Sequence, residues 1–345
     1  MKSLDFESFK ARYQKVLVEE YPNRVLEAVP EPLVSVKIST YQHADFIRDC
    51  LDGALMQETD FPIEILIGED ESSDGTREIC KAYAERHPDK IRLFLHRREN
   101  NIAVHGRPTG RFQTTYTRFM CRGKYIALCE GDDYWTDPLK LQKQVEFMEA
   151  RPNCVLTYHP WVVKAVGDDR STEAILAQFS EDRNWAERPL TCTLMHRRVI
   201  RSIPAVGLNI LNGDTFFQHL LRLHGHFACV KHIEPSIYRH HQESLWSSGS
   251  RIDQALSGIH SLTQMWPVFE GTSVDYLVSG GVTHWLEELY ASMRRTGDYA
   301  GHLRAFARAV SHIHEARLLF KSVVGPFVIY PLRSRMGKLK SRLIS

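Results

Sequence analysis

The sequence lacks the features that mark several common classes of protein. No apolar run approaches the ~20 residues that a membrane-spanning helix requires. The amino-terminal segment also has no apolar core of the kind found in signal peptides. The seven cysteines are odd in number and scattered, and they form no Cys-x-x-Cys, which argues against a disulfide framework and against a structural zinc site. We therefore expect a cytoplasmic protein.

Charge and glycine patterns exclude two further classes. The net charge of +2 is too near neutral to indicate a nucleic-acid binder, so no nucleic-acid partner is expected. No Gly-x-Gly-x-x-Gly follows any predicted strand, which excludes a dinucleotide-dependent dehydrogenase. The chain instead has an ordinary globular composition, with 43% hydrophobic and 25% charged residues. Its 345 residues suffice for one large domain and a smaller one.

Apolar strands alternate with amphipathic helices through the first two thirds of the chain. The predicted strands are Leu33–Ser39, Ile63–Gly68, Ile91–Leu95, Tyr125–Cys129, Cys154–Tyr158, Thr191–Met195 and Phe227–Val230. Helical spacing of apolar residues between most of them predicts βαβ units and a parallel sheet. From about Arg251 onward the pattern is wholly helical. We predict an amino-terminal helix at 1–30, an α/β domain at 31–248, a helical region at 249–322 and a tail at 323–345.

The tail combines an apolar run with a basic end that contains no acid. Its basic residues are Arg333, Arg335, Lys338, Lys340 and Arg342. Such a segment can rest on an anionic membrane, which would place the protein peripherally on the inner face of the membrane. The alternative is a segment folded back on the domain with a solvated basic end, and both interpretations stay open.

Three carboxylates, those of Glu130, Asp132 and Asp133, directly follow the strand Tyr125–Cys129. Unpaired carboxylates beside a buried strand repel one another and are costly to desolvate. Mg²⁺ or Mn²⁺ would remove that cost, since these cations take one or two carboxylates together with substrate phosphates. Ligands of open α/β sheets bind just beyond the carboxyl ends of strands. The alternative is an acidic turn that only starts the helix near Pro138.

Four segments in order resemble the family 2 glycosyltransferases of the GT-A fold, over roughly residues 33–245. They are Val34–His43, Ile65–Thr76, Gly123–Trp135 and Tyr238–His241. The resemblance implies an α/β, Rossmann-like fold with a mostly parallel central sheet, flanking helices and a carboxyl-terminal helical region. The chain departs from the family pattern at three places: Gln42 stands where Asn is commoner, Glu130 replaces the usual Asp, and Gly213 precedes Asp214 where many members have Glu.

The resemblance also implies a role for each site residue. Nucleotide and donor contacts are expected from Thr40, Tyr41, Asp70, Glu130, Asp133 and Arg239. Asp132 and His241 are expected to hold Mn²⁺ or Mg²⁺, and Asp214 to take the proton from the acceptor hydroxyl. Structural alternatives stay open: Asp70 and Asp74 can form turns, Asp214 can cap a helix, and His241 can be structural. The pair Arg197 and Arg198 is either a contact for an anionic acceptor or a solvated helix start.

The predicted function is inverting transfer of a sugar from a nucleotide-diphosphate donor, with a UDP-sugar favoured. The predicted acceptor is a hydroxyl of a glycan or a lipid-linked molecule in cell-surface polysaccharide assembly. One alternative is a catalytically silent module that binds nucleotide sugars. A less favoured one is a sugar nucleotidylyltransferase. That class needs a glycine-rich loop after the first strand, where this chain has Thr-Tyr-Gln-His-Ala-Asp.

Overall fold

The structure is a computed structural model. It describes residues 3–104, 106–165, 167–177, 189–240 and 250–296, with short pieces up to residue 322. The chain divides into two compact units. The first, called here the α/β unit, comprises Lys2–Ala205 and Leu220–His241. The second, called here the helical unit, comprises Val206–His219 and Gln242–Ser345.

The secondary structure alternates between strands and helices through the α/β unit. The strands are β1 Ser3–Leu4, β2 Glu19–Glu20, β3 Val34–Thr40, β4 Ile63–Glu69, β5 Ile91–Leu95, β6 Ala103–Val104, β7 Arg107–Pro108, β8 Tyr125–Glu130, β9 Cys154–Tyr158, β10 Trp161–Ala165, β11 Met195–Arg197, β12 Ile203–Pro204, β13 His226–Cys229 and β14 Ser236–His240. The helices are α1 Phe6–Tyr13, α2 Val25–Ala28, α3 Ile47–Leu55, α4 Thr76–Arg86, α5 Arg111–Met120, α6 Lys140–Glu149, α7 Thr172–Leu176, α8 Gly213–Arg222, α9 Arg251–Phe269, α10 Asp275–Thr296 and α11 Ala316–Leu319.

Eight strands form the central sheet in the order β13-β9-β11-β8-β3-β4-β5-β2. Strand β3 pairs in parallel with β4 and β8, β4 with β5, and β13 with β9. Strand β11 lies antiparallel between β8 and β9, and β2 is antiparallel to β5. The predicted mostly parallel sheet with flanking helices is therefore confirmed. Parallel pairing brings the carboxyl ends of β3, β4 and β8 to one edge.

The two faces of this sheet differ in polarity. One face carries Val36 and Ile38 and packs against apolar side chains of α3, α4 and α6. The other face carries Ser35, Lys37 and Ser39, all buried. Lys37 Nζ donates to Ser39 Oγ at 2.7 Å and lies 3.4 Å from Thr114 Oγ1 of α5. Because buried polar groups are costly unless they are hydrogen-bonded, α5 supplies hydroxyls where the other helices supply hydrocarbon.

Parts of the predicted secondary structure need correction. The segment 1–30, predicted as one amino-terminal helix, contains two helices, α1 and α2, with β2 of the central sheet between them. The predicted strand Thr191–Met195 is a one-turn 3₁₀ helix at Thr191–Thr193 followed by β11. The Thr193 hydroxyl donates to the Leu190 carbonyl, a local bond that competes with strand pairing. Strands β10 and β14 were not predicted at all. They form a parallel two-stranded ribbon, which a bridge between Tyr134 and Ile237 joins to the segment after β8.

The helical unit is built on α9 and α10, the longest helices of the described residues. A capping box between Ser250 and Asp253 starts α9. Gly258 of α9 faces the Trp285 ring of α10, where any larger residue would collide with the indole. Among the described residues, no helix is both long enough and apolar enough to cross a membrane. The predicted tail at 323–345 lies outside the described residues.

Candidate active site

The turn after β3 is held in an unusual backbone conformation. Gln42 has a φ of 56°, in the left-handed region that Asn adopts more readily than Gln. Its side-chain oxygen accepts from the Ser73 N–H at 2.8 Å, and its own N–H donates to Ser72 Oγ at 3.0 Å. The longer side chain thus ties the β3 turn to the loop after β4. This contact gives a physical reason for Gln at a position where the family more often has Asn.

Gly131 allows the acidic turn to approach the end of β3. Its N–H donates to the Ser39 carbonyl at 2.8 Å. A Cβ at this position would lie 2.6 Å from Thr40 Oγ1 and 2.8 Å from His43 Nδ1. The Asp133 N–H donates to the Glu130 carbonyl at 3.0 Å and closes the turn. The structure therefore brings Thr40 against the backbone of the acid cluster.

Asp132 borders the same turn through His43. The carboxylate Oδ2 of Asp132 lies 3.9 Å from His43 Nε2, and the Asp132 side chain is 19% exposed. The other ring nitrogen of His43 lies 3.3 Å from Thr40 Oγ1, within hydrogen-bond distance. Sequence reasoning missed His43, although it belongs to the motif Thr-Tyr-Gln-His that was singled out. Its position after the first strand was the available signal.

Asp133 is buried beneath the cluster. Its Oδ1 accepts from the Arg239 N–H at 2.9 Å. Burial, and then the negative charge of Asp132, raise the pKa of Asp133 well above its ordinary value. Asp133 is therefore placed to fix the acidic turn from inside, whereas Asp132 is the more accessible carboxylate.

Glu130 lies on the polar face of the sheet, opposite Ser39 in the β3–β8 pairing. It contributes to the electrostatics of Lys37, whose pKa burial lowers to about 8 while the Glu130 carboxylate opposes that change. The three acids thus lie in different environments. Glu130 interacts electrostatically with the buried Lys37, Asp132 borders the β3 turn, and Asp133 is buried beneath it.

Asp70 follows β4 and joins the site from the other side of β3. Its N–H donates to the Thr40 carbonyl at 3.1 Å. The buried carboxylate accepts from Arg98 Nη1 at 3.0 Å and from Asn101 Nδ2 at 3.4 Å. Burial raises the pKa of Asp70 to about 7, against the opposing effects of Arg98 and Asn101. The Arg98 guanidinium lies 4.0 Å from the ring centroid of Tyr41, which is 39% exposed.

Arg98 was not found from the sequence, and Asp74 has a structural role. Arg98 lies in the loop after β5, and the carboxyl end of β5 reaches the same edge as β3 and β4, so topology was the missing signal.

Asp74 accepts from the Thr76 N–H at 3.0 Å and from the Ala44 N–H at 2.9 Å. These bonds support the turn-forming interpretation of Asp74.

Arg239 on β14 holds the acidic turn. Its Nη1 donates to the Asp132 carbonyl at 3.0 Å, and its Nη2 forms an ion pair with Asp49 of α3. The guanidinium also lies 4.5 Å from the ring centroid of Tyr134. The Arg239 backbone thus contacts Asp133, and its side chain contacts Asp132. Strand β14, which was not predicted, places Arg239 at this turn.

Comparison with known proteins identifies the family. Residues 35–203 match the sequence profile described as glycosyl transferase family 2. This segment, about half of the chain, belongs to that family. The uncharacterized protein Rv1520 of Mycobacterium tuberculosis is 32% identical over 222 residues, which cover 62% of this chain and 61% of that protein. The putative teichuronic acid biosynthesis glycosyltransferase TuaG of Bacillus subtilis is 33% identical over 128 residues, covering 37% of this chain and 46% of that protein. The matches thus span less than two thirds of either relative.

The solved structure of another protein has the same fold as this chain. The structure of S. aureus TarS 1-349 in complex with UDP-GlcNAc aligns with a TM-score of 0.55 at 14% sequence identity, covering 83% of this chain and 82% of that chain. At that identity the similarity shows the fold alone. The predicted GT-A fold is confirmed.

Two further residues, His241 and Asp214, were predicted for the site. His241 lies outside the described residues. Asp214 belongs to the helical unit, where it is exposed in the first turn of α8. Within that unit, the neighbouring Asn212 side chain accepts from Ser261 Oγ at 2.7 Å and anchors the start of α8 to α9.

The described residues suit a divalent cation held by one carboxylate and by substrate phosphates, and not a cation held by protein ligands alone. In the part of the chain that the structure describes, no group of three or more His, Cys, Asp or Glu side chains is arranged to hold a metal ion. Mg²⁺ and Mn²⁺ sites that use substrate phosphates need only one or two carboxylates. Asp132 has the accessibility for this role. Burial, and then the charge of Asp132, raise the pKa of Asp133, and a cation would offset the repulsion between the two carboxylates.

Proposed function

We propose that the chain is an inverting glycosyltransferase that moves a sugar from a nucleotide-diphosphate donor, a UDP-sugar, to a hydroxyl of a glycan or lipid-linked acceptor. The observation that carries this proposal is the shared sheet edge of Thr40, Asp70 and Asp132. Backbone hydrogen bonding joins Asp70 to Thr40, and Gly131 brings the acidic turn against Thr40. The proposed nucleotide site and the proposed cation site would thus be contiguous.

The chemistry of the nucleotide site supports a uracil base. The Asp70 carboxylate would accept the imide N–H of the base, and the partly exposed Tyr41 ring would cover it. Arg98 contacts both side chains, so it would hold the ring and the carboxylate in fixed relation. We propose Arg98 as an additional donor-site residue. TarS, which shares the fold, was solved with UDP-GlcNAc bound.

We propose that Asp132 holds Mg²⁺ or Mn²⁺ against the donor diphosphate and that His241 assists. Such a cation supplies neutralising charge for the diphosphate leaving group. Arg239 keeps the Asp132 backbone in place through its carbonyl. A direct contact of Arg239 with the phosphates stays a prediction. Glu130 and Asp133 are proposed as the acids that surround and orient this turn.

Asp214 is proposed as the general base. It would take the proton from the acceptor hydroxyl as that oxygen attacks the anomeric carbon opposite the leaving group. This assignment rests on the resemblance of the segment Leu-Asn-Gly-Asp to the family's base position. Cell-surface polysaccharide assembly is proposed as the setting, in line with the name of TuaG.

Calorimetric titration with UDP tests the cation role of Asp132. Wild-type protein should bind UDP more tightly with Mn²⁺ or Mg²⁺ than with EDTA, and Asp132→Asn should remove that difference. Asp89→Asn, at an exposed ion pair with Arg24, is the matched control and should keep it. Equal binding by wild type with and without metal would overturn the role of Asp132.

A panel of nucleotide sugars, incubated with Mn²⁺ or Mg²⁺, tests the activity itself. Hydrolysis or transfer of a UDP-sugar supports the proposal. Tight UDP binding without turnover of any donor on any acceptor would favour the silent binding module. Release of pyrophosphate from a nucleoside triphosphate and a sugar phosphate would favour the nucleotidylyltransferase.

A further inference from the structure

A cavity of about 320 Å³ lies in the α/β unit, away from the proposed donor site. It is lined by the start of α1, the end of α5 and the segment from β11 to β12, namely by Asp5, Phe6, Glu7, Arg118, Phe119, Arg198, Ile200, Arg201 and Ile203. The Arg198 N–H donates to the Lys124 carbonyl at 2.9 Å, just before β8 begins. The acidic turn follows the other end of β8, roughly 20 Å away along a strand of this length. None of the residues proposed for the donor site lines this cavity.

Three arginines converge on the cavity. Arg198 Nε donates to the Gly123 carbonyl at 3.0 Å, which fixes the direction of its side chain. Within the described ranges, neither Arg198 nor Arg201 forms an ion pair with a carboxylate. Burial, and then the charge of Arg201, lower the pKa of Arg198. Burial likewise lowers the pKa of Arg118 to about 10. Positive charge is therefore concentrated here at a cost in solvation and repulsion.

The two carboxylates on the cavity wall are engaged elsewhere. Asp5 caps α1, with its Oδ1 accepting from the Ser8 N–H at 2.9 Å. Glu7 forms an ion pair with Lys10 at 2.9 Å. Neither interaction directs a carboxylate at the arginines. The rest of the wall is apolar, so the cavity offers guanidinium groups beside hydrophobic surface.

We propose that this cavity binds the phosphate group of a small molecule or of a lipid headgroup. Guanidinium groups match phosphate oxygens in geometry and charge. A phosphate dianion can neutralise two arginines, whereas a single carboxylate neutralises only one. The side chains of Phe6, Phe119 and Ile200 would contact the remainder of the ligand. The neighbouring residues Arg197 and Arg198 thus have different environments. Arg197 packs inward and donates to the Met148 carbonyl at 2.7 Å, whereas Arg198 lines the cavity.

Pyrophosphate, titrated calorimetrically into the full-length protein with EDTA present and ionic strength held constant with chloride, tests the site. We expect one binding site per chain. The double variant Arg198→Gln with Arg201→Gln should bind at least about tenfold more weakly, as expected for lost charge-assisted hydrogen bonds. Arg201→Gln alone should also weaken binding, and it leaves the Gly123 contact of Arg198 intact. Arg86→Gln, at an exposed arginine of α4, is the matched control.

Sedimentation with phosphatidylglycerol vesicles, against neutral phosphatidylcholine vesicles, separates the two sources of phosphate. Pyrophosphate binding that needs Arg201 points to a soluble ligand. Arg201-dependent binding to anionic vesicles, without pyrophosphate binding, points to a lipid headgroup. The proposal fails if the Arg201→Gln protein, shown to be folded by thermal unfolding, matches wild type in both assays. The metal-dependent titration with UDP is independent of this outcome, because it involves none of these arginines.

Discussion

Asp70 shows how a single buried carboxyl would control donor binding. Its pKa of about 7 means that it is largely protonated at pH 6 and largely ionised at pH 8. Only the ionised form is a full acceptor for the imide N–H of a uracil base. We expect UDP affinity to rise about tenfold from pH 6 to pH 8, following the ionised fraction.

Calorimetric titration of UDP across this pH range checks the Asp70 prediction. The Asp70→Asn variant retains an acceptor oxygen but no titrating group, so it reports the pH dependence of UDP itself. The difference between the two profiles isolates the contribution of Asp70. Identical profiles for both proteins would show that Asp70 does not govern the pH dependence.

His96 is a second buried group whose charge state matters, here for stability. Neither ring nitrogen has a hydrogen-bond partner among the described residues, and burial lowers the pKa of His96 to about 3. The ring packs edge-to-face with Phe112 and Tyr116. We expect His96→Phe to stabilise the protein by about 1 kcal/mol at pH 7, because two unpaired polar atoms are removed.

The pH dependence of this effect has a definite sign. The unfolded chain binds a proton at His96 below its ordinary pKa of about 6.5, whereas the folded chain does not until about pH 3. Wild-type stability therefore falls as pH falls through this window, by up to about 1.4 kcal/mol per pH unit. Melting temperatures should favour His96→Phe more at pH 5.5 than at pH 7. The exposed His226→Phe is the control and should show no such trend.

At the scale of elements, Gly131 is the point at which β8 and the β3 turn meet. A Cβ there would collide with Thr40 and His43, so the acidic turn would have to move away from the end of β3. We expect Gly131→Ala to weaken metal-dependent UDP binding about tenfold or more, since the two halves of the site would separate. Calorimetry measures this effect.

The matched control for this substitution is Gly280→Ala in α10. A Cβ at Gly280 meets no atom within 4 Å, and the residue lies inside a helix. Alanine there should raise stability by about 0.5–1 kcal/mol and leave UDP binding unchanged. If Gly131→Ala bound UDP as tightly as this control, close contact between the β3 turn and the acidic turn would not be needed for donor binding.

Element boundaries show what local patterns can and cannot predict. Strands β5 and β9 were predicted with their observed bounds because both are buried apolar runs between turn residues. Strand β10 was missed because all five of its side chains are at least partly exposed, and β14 because Arg239 and His240 interrupt its apolar pattern. Their pairing is a contact between segments 75 residues apart in sequence, from Trp161 to Ser236, which no short window reveals.

The candidate site divides along the same line. Thr40, Asp70 and Asp132 were predictable because each follows a recognisable strand. Arg98 and Asp49 were not, because their significance comes from long-range contacts: Arg98 with Asp70, and Asp49 with Arg239. His43 was missed although its position after the first strand could have indicated it. Motif reasoning finds the residues at strand ends. The side chains that hold those residues in position emerge only once the sheet is assembled.

At the scale of the whole molecule, the predicted functions are divided between the two compact units. Thr40, Asp70 and Asp132 belong to the α/β unit, whereas Asp214 belongs to the helical unit. If the donor is bound by the first set and the proton is taken by the second, the two steps should be separable by mutation. We expect Asp214→Asn to abolish sugar transfer, by about 10²-fold or more, because general base catalysis typically contributes that much.

UDP binding should be unchanged in the Asp214→Asn protein, since the substitution removes no contact of the proposed donor site. Transfer would be measured with the donor identified in the nucleotide-sugar panel, and UDP affinity by calorimetry with Mn²⁺. Asp253→Asn, in the first turn of α9, is a control for an acid at a helix start in the same unit, and it should cost stability without abolishing transfer. Near wild-type transfer by Asp214→Asn would show that another group takes the proton. Loss of UDP binding together with transfer would instead show that Asp214 also contributes to donor binding.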